Sequence, residues 1–99
     1  MVTEAQHMQA IIALAKLLDW LCYHTWSSIH SPKGYPDLTL CRPPRVIIAE
    51  VKSDKGKLTE AQSEWLDALR GCPGVEVYLW RPGMWDEIEA VLIGEDWKD

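Results

Sequence analysis

Apolar positions near the start of the chain recur at helical spacing. Met8, Ile11, Ile12, Leu14, Ala15, Leu17, Leu18 and Leu21 alternate with Gln6, Gln9, Lys16 and Asp19, and Thr3 stands three residues before Gln6, the spacing of a capping box. A helix is predicted from Glu4 to about Asp19 or Trp20. Its apolar face is wider than one core requires, so one side is expected to pack on a sheet and the other to meet a second subunit, giving a homodimer. Leu21 to Trp26, Asp37 to Cys41, Val46 to Lys52 and Val75 to Trp80 are short β-branched or aromatic runs and read as strands. Between them lie a loop over 27 to 34, a Pro43-Pro44 turn and an Asp54-Lys55-Gly56-Lys57 turn. Thr59 with Gln62 opens a second helix to about Arg70, with Trp65, Leu66 and Leu69 on its apolar face, and Gly71-Cys72-Pro73-Gly74 stops it. After the Arg81-Pro82-Gly83 break, Trp85 to Ile93 reads as a last helix.

The order is α-β-β-β-α-β-α. Val46 to Ala49 is apolar at every position, as in a strand covered on both faces and central in its sheet. The first three strands are expected to form an antiparallel meander. A crossover helix then makes the third and fourth parallel neighbours. The predicted fold is α/β, a mixed four-stranded sheet flanked by helices.

A chain of 99 residues holds one core, so residues 1–99 are read as a single domain. Apolar residues at 47% and charged residues at 25% exclude a disordered or low-complexity chain. The longest apolar run, Ala10 to Leu21, contains Lys16 and Asp19 and covers about half of what a bilayer needs. No membrane association is expected. The acidic start Met1-Val2-Thr3-Glu4 is unlike a secretory signal, and the three Cys, at 22, 41 and 72, read as buried thiols of a reducing, cytoplasmic compartment rather than as disulfides or a zinc site. A net charge of −5 argues against a nucleic-acid partner until its distribution is considered. Residues 33 to 57 carry six basic residues against three acids, and residues 58 to 99 carry ten acids against three basic residues. A basic middle permits local phosphate binding on an acidic protein.

Within that middle, Glu50 and Lys52 share one face of the third strand and end its apolar stretch. On spacing alone they could be a surface ion pair. Pro36-Asp37 stands at the start of the neighbouring strand, and a hairpin turned at Pro43-Pro44 is expected to bring Asp37 opposite Glu50. Two carboxylates there repel unless a cation joins them. Hard oxygen donors favour Mg²⁺ or Mn²⁺, with the Val51 carbonyl as third donor and waters completing the shell. Lys52 then suits a negatively charged substrate such as a phosphate. Pro36-Asp37 with Glu50-x-Lys52 is a PD-(D/E)-x-K arrangement.

Gly34-Tyr35-Pro36-Asp37-Leu38, Ala49-Glu50-Val51-Lys52 and Gly56-Lys57-Leu58-Thr59-x-x-Gln62-x-x-Trp65-Leu66 together resemble the virus-type replication-repair nuclease (VRR-NUC) domain, from Glu4 to about Leu92. The likeness is to the small stand-alone members of phages and bacteria. It implies a restriction-endonuclease-like fold and a metal-dependent nuclease without organic cofactor, in the cytoplasm of a bacterial cell or phage-infected host. Those members resemble Holliday-junction resolvases and tend to be homodimers, which implies branched DNA, four-way junctions included, as substrate. By position, the resemblance makes Asp37 and Glu50 metal ligands with the Val51 carbonyl, Lys52 the catalytic lysine, and Gln62 and Glu4 further catalytic residues. Gln62 is equally the natural cap partner of Thr59, and an acid at Glu4 also suits a helix start.

Lys33, Lys55 and Lys57 are candidate phosphate contacts or ordinary solvated turn residues. Arg81 could reach a phosphate or cap the sheet. His24 and His30 could touch DNA or be structural. Trp65 and Trp85 are expected in the core, and Trp26 could stack on a base if exposed. A restriction-type or nicking nuclease and a non-cutting branched-DNA binding module are the alternative functions.

Overall fold

The computed structural model describes residues 2–26 and 30–94; residues 27–29, where the expected loop begins, lie outside the described residues. Thr3 caps the first helix, α1 (Glu4–Leu17): its Oγ1 accepts the Gln6 N–H at 3.0 Å, and Gln6 Oε1 accepts the Thr3 N–H at 2.9 Å. The helix ends two to three residues before the expected point. Asp19 enters the left-handed region (φ 70), and the Trp20 N–H closes back on the Ala15 carbonyl at 2.9 Å. Trp20 thereby leaves the helix and enters the core, where its indole N–H donates to the Leu92 carbonyl at 2.9 Å.

The strands follow as β1 (Leu21–His24), β2 (Leu38–Arg42) and β3 (Arg45–Val51), then α2 (Glu60–Arg70), β4 (Glu76–Trp80), a 3₁₀ turn over Pro82–Met84 and α3 (Trp85–Ile93). The order along the chain is the predicted one. The sheet runs β1-β2-β3-β4 with β1–β2 and β2–β3 antiparallel and β3–β4 parallel. This is a restriction-endonuclease-like α/β arrangement. Pro43-Pro44 alone separates the paired Arg42 and Arg45, so the meander turns in two residues.

β3 is interior because every residue from Ile47 to Val51 is buried. Ile47, Ala49 and Val51 join Leu38, Leu40 and Trp80 in one core with Met8, Ile11 and Ala15 of α1 and Ile88 and Leu92 of α3. Ile48 points to the opposite face, and Leu66 of α2 is buried on that side. The wide apolar face of α1 is used mostly within its own core: Ile12 and Leu14 pack against it half-buried. Leu17 is exposed, as are Leu21 and Tyr23 of the edge strand β1.

Two expectations need correction. The core tryptophans are Trp20 and Trp80, whereas Trp65 and Trp85 are half-buried. Trp65 meets Tyr35 edge to face at 5.1 Å and Trp85 meets His7 at 6.4 Å, each at the border of a layer. Cys72 is exposed rather than buried, because it follows the end of α2, where its Sγ donates to the Ala68 carbonyl.

Arg42 and Arg45 stack on the Trp20 ring, 4.6 and 5.0 Å from its centroid. Arg42 donates to the Leu18 and Ile93 carbonyls and Arg45 to the Val91 carbonyl, at 2.8 to 2.9 Å. These are the C-terminal ends of α1 and α3, where orphan carbonyls and the helix dipole favour cations. Arg45 also makes a two-pronged ion pair with Glu76 at 2.7 Å. Trp20→Phe, which removes the indole donor and leaves a gap beneath both guanidinium groups, is expected to cost about 2 kcal/mol in denaturant unfolding.

Candidate active site

The β2–β3 ladder closes at Leu38↔Ala49, so one further step sets Asp37 opposite Glu50. The Val51 N–H donates to Asp37 Oδ2 at 2.8 Å, which ties the Asp37 carboxylate to the main chain next to Glu50. Glu50 is 1% exposed, and its Oε2 is buried with no hydrogen-bond partner. Burial, then the Asp37 carboxyl, pushes the Glu50 carboxyl up to about 8, against the lowering pull of Lys52 and the Val51 main chain. A buried oxygen without a partner carries a desolvation cost that a bound cation would remove. Lys52, two residues on and half-buried, falls on the same face of the strand by alternation.

Asp37 is held by its neighbours on three sides. Thr25, just past β1, donates its N–H to the Asp37 carbonyl and its hydroxyl to the Pro36 carbonyl, both at 2.8 Å. Pro36 is fully buried. Gly34 has φ +96, and a Cβ added there would stand 2.5 Å from the Ala61 carbonyl carbon of α2. Only glycine permits that approach. Tyr35 then lies on Trp65 of the same helix. The packing of this loop on α2 sets the direction from which Asp37 enters β2, and neither Thr25 nor Ala61 carries any local signal of that role.

The other candidates are placed less uniformly. Gln62 completes the second capping box, its Oε1 accepting the Thr59 N–H at 2.9 Å and its N–H bonding to Thr59 Oγ1 at 3.2 Å. Glu4 is exposed in the first turn of α1 and is not gathered with the carboxylate pair: among the described residues no three His, Cys, Asp or Glu side chains form a metal-holding group. Lys33, Lys55 and Lys57 are exposed on the loops that lead into β2 and out of β3. His24 is half-buried and stacks on Trp26 at 6.1 Å, while Trp26 itself is 82% exposed. His30 is exposed. Arg81 faces the chain, with Nη1 donating to main-chain carbonyls of the turn after β3.

His7 escaped the sequence reading. It is buried in α1 with Nε2 unpartnered, and burial pushes its imidazole down, partly offset by the Trp80 main chain, Asp54 and Glu4. Nothing in the helical pattern separates it from its solvated neighbours Gln6 and Gln9.

The donor set suits a hard divalent ion. Two carboxylates, one with an orphaned buried oxygen, provide the charge. The Val51 carbonyl and waters are the remaining donors available to such an ion, as Mg²⁺ and Mn²⁺ sites commonly use.

Gly34→Ala is expected to push the loop off Ala61 and displace Asp37, reducing activity at least tenfold, which a comparison of turnover with the fraction folded would detect. Glu50 adds a pH dependence. Its folded-state value lies above its unfolded one, so between about pH 4.5 and 8 the folded protein keeps a proton that the unfolded chain has lost. Stability must then fall as pH rises through that window. In EDTA the wild-type denaturation midpoint is expected to drop between pH 5 and pH 8, and the drop is expected to shrink in Glu50→Gln.

No curated protein and no solved structure matches the chain. The family model described as the VRR-NUC domain matches residues 4–82, a span that includes the carboxylate pair, Lys52, the second capping box and all four strands. PD-(D/E)xK-like nucleases generally use divalent metals, in keeping with the oxygen donors at the end of β3. The chain belongs to the VRR-NUC family of nucleases, with DNA as the implied substrate.

Proposed function

We propose that this protein is a Mg²⁺- or Mn²⁺-dependent DNA endonuclease that acts as a homodimer on branched substrates, four-way junctions in particular. The observation that carries the reading is the unpartnered, buried Glu50 Oε2 beside the Asp37 carboxylate. In this reading Asp37, Glu50 and the Val51 carbonyl would hold the ion, which when bound would supply positive charge and a more acidic water for phosphodiester hydrolysis. Lys52 places its ammonium where it steadies charge growing on the phosphate or orients the attacking water. Gln62 has its carbonyl oxygen committed to the cap, so its own contact with substrate is through the amide nitrogen. Glu4 enters this reading as a further catalytic residue from the exposed first turn of α1, outside the carboxylate pair. Lys33, Lys55 and Lys57 meet neighbouring phosphates, and such contacts position DNA without reading its sequence.

The homodimer is supported by exposed Leu21 and Tyr23 on one face of β1 and exposed Leu17 at the end of α1. β1 is an edge strand, whose outer N–H and C=O groups are a template for pairing with another chain. A two-fold axis there would present two sites to a symmetric junction. The cytoplasm of a bacterial or phage-infected cell fits this activity, and among the described residues no helix is long and apolar enough to cross a membrane.

Cleavage of a labelled four-way junction and a matched linear duplex, with Mg²⁺, Mn²⁺ or EDTA, tests the reading. Metal-dependent cutting of the junction is expected, with Glu50→Ala binding it as well as wild type but cutting roughly 10²- to 10³-fold more slowly or not at all. Equal cutting of the duplex would make this a restriction-type or nicking nuclease. Junction binding without cutting by either protein would make it a binding module.

A further inference from the structure

Arg81 stands at the exit of β4, one residue after the strand ends. Its guanidinium is turned inward. Nη1 donates to the carbonyls of Ser53 and Gly56, each at 2.7 Å, and more loosely to that of Asp54 at 3.3 Å. Three carbonyls converge on one cationic nitrogen, so the turn after β3 is folded around a charge. Such charge-assisted bonds are about twice as strong as neutral ones. The turn is tied a second time by the Gly83 N–H, which donates to Asp54 Oδ1 at 3.1 Å.

Lys52 lies immediately before this turn. Its N–H donates at 3.1 Å to the carbonyl of Trp80, the residue before Arg81. Its stem lies along the turn as well: a Cβ added to Gly56 would stand 3.5 Å from Lys52 Cδ. Consecutive residues of β4's exit therefore hold the main chain of Lys52 and the glycine beside its side chain.

We propose that Arg81 is a positioning residue for Lys52, fixing the turn along which the lysine stem lies, and that it is not a contact to DNA phosphate. The proposal rests on the reading above that Lys52 acts on the scissile phosphate. Displacing the turn moves the ammonium away from the carboxylate pair, whereas the long, exposed side chains of Lys55 and Lys57 on the same turn still reach phosphate, so turnover falls far more than binding.

The test compares wild type, Arg81→Gln and Arg81→Lys in steady-state junction cleavage, below the unfolding range of each. DNA affinity against salt in EDTA and the rate of tryptic nicking after Lys55 and Lys57 complete it. For Arg81→Gln, kcat is expected to fall about 10²-fold, the scale of a small misplacement in an active site. The salt slope should stay at its wild-type value because no phosphate contact is removed, KM should rise by far less than kcat falls, and nicking should accelerate. Arg81→Lys, which restores a cation able to donate to the same carbonyls, is expected to recover most of kcat. If Arg81→Gln does not fold, Asp54→Ala removes the second tie alone and is expected to show the same split at smaller size. A salt slope lower by about 0.9 with kcat retained would mark a phosphate contact and overturn the proposal. An unchanged nicking rate would overturn it too, even if wild type proves to cut no DNA. Full cleavage by Lys52→Ala, by contrast, would defeat the functional reading itself while nicking still reports what Arg81 holds.

Discussion

A carboxylate buried at the end of a central strand, beside a second carboxylate, is the constraint around which this fold is arranged. Glu50 is desolvated because β3 lies between β2 and β4 and is covered on both faces, by α1 and α3 on one side and α2 on the other. On an edge strand the same residue would be hydrated and its affinity for a cation small. Burial raises the cost of the ionised form, and that cost makes a divalent ion at the site favourable. Ile48, which shares Glu50's face of β3, is part of the burial that sets this cost, while Ile47, Ala49 and Val51 fill the core on the opposite face.

Charge is divided by position along the sheet. The hairpin end of β2 and β3 holds Arg42 and Arg45, whose guanidinium groups serve helix ends and Glu76. The opposite end holds Lys33, Lys52, Lys55 and Lys57. Arg81, although at the second end, is also directed to main-chain carbonyls. The planar fork of arginine suits fixed arrays of carbonyls and carboxylates, and lysine carries a mobile point charge. This division narrows the basic middle of the sequence to lysines on two loops, the part able to offset the repulsion between an acidic protein and a polyanion.

What could be read from the sequence was local. Both capping boxes, the continuous apolar run of β3 and the Pro43-Pro44 turn each lie within a few residues, and they predict the element order, the meander and the meeting of Asp37 with Glu50. What could not be read depends on residues far apart in the chain. Trp20 extends a helical pattern on paper, yet its indole reaches Leu92, and only that partner explains why α1 stops early. Gly34 belongs to a recognisable motif, but its reason is Ala61, on another element. Arg81 has an ordinary basic appearance in sequence, and its three acceptors lie some 25 residues upstream. The carboxylate pair was legible because a hairpin is a short-range structure, and its supports were not because they are tertiary.

The same hairpin fixes how precisely the two carboxylates meet. Side chains alternate along a strand, so slipping β2 against β3 by one residue would place Pro36 or Leu38 across from Glu50 and turn Asp37 to the other face. The two-residue turn at Pro43-Pro44 sets this register from the far end of the ladder. The buried alternation of Leu38 and Leu40 enforces it, since a slipped β2 would expose both and lose roughly 1.5 to 3 kcal/mol for each. Strand pairing of this kind holds positions more tightly than loops do. Glu50 on β3 and Asp37, one residue before β2, are therefore held by the sheet, whereas Lys33, Lys55 and Lys57 hang from turns, which need ties of their own.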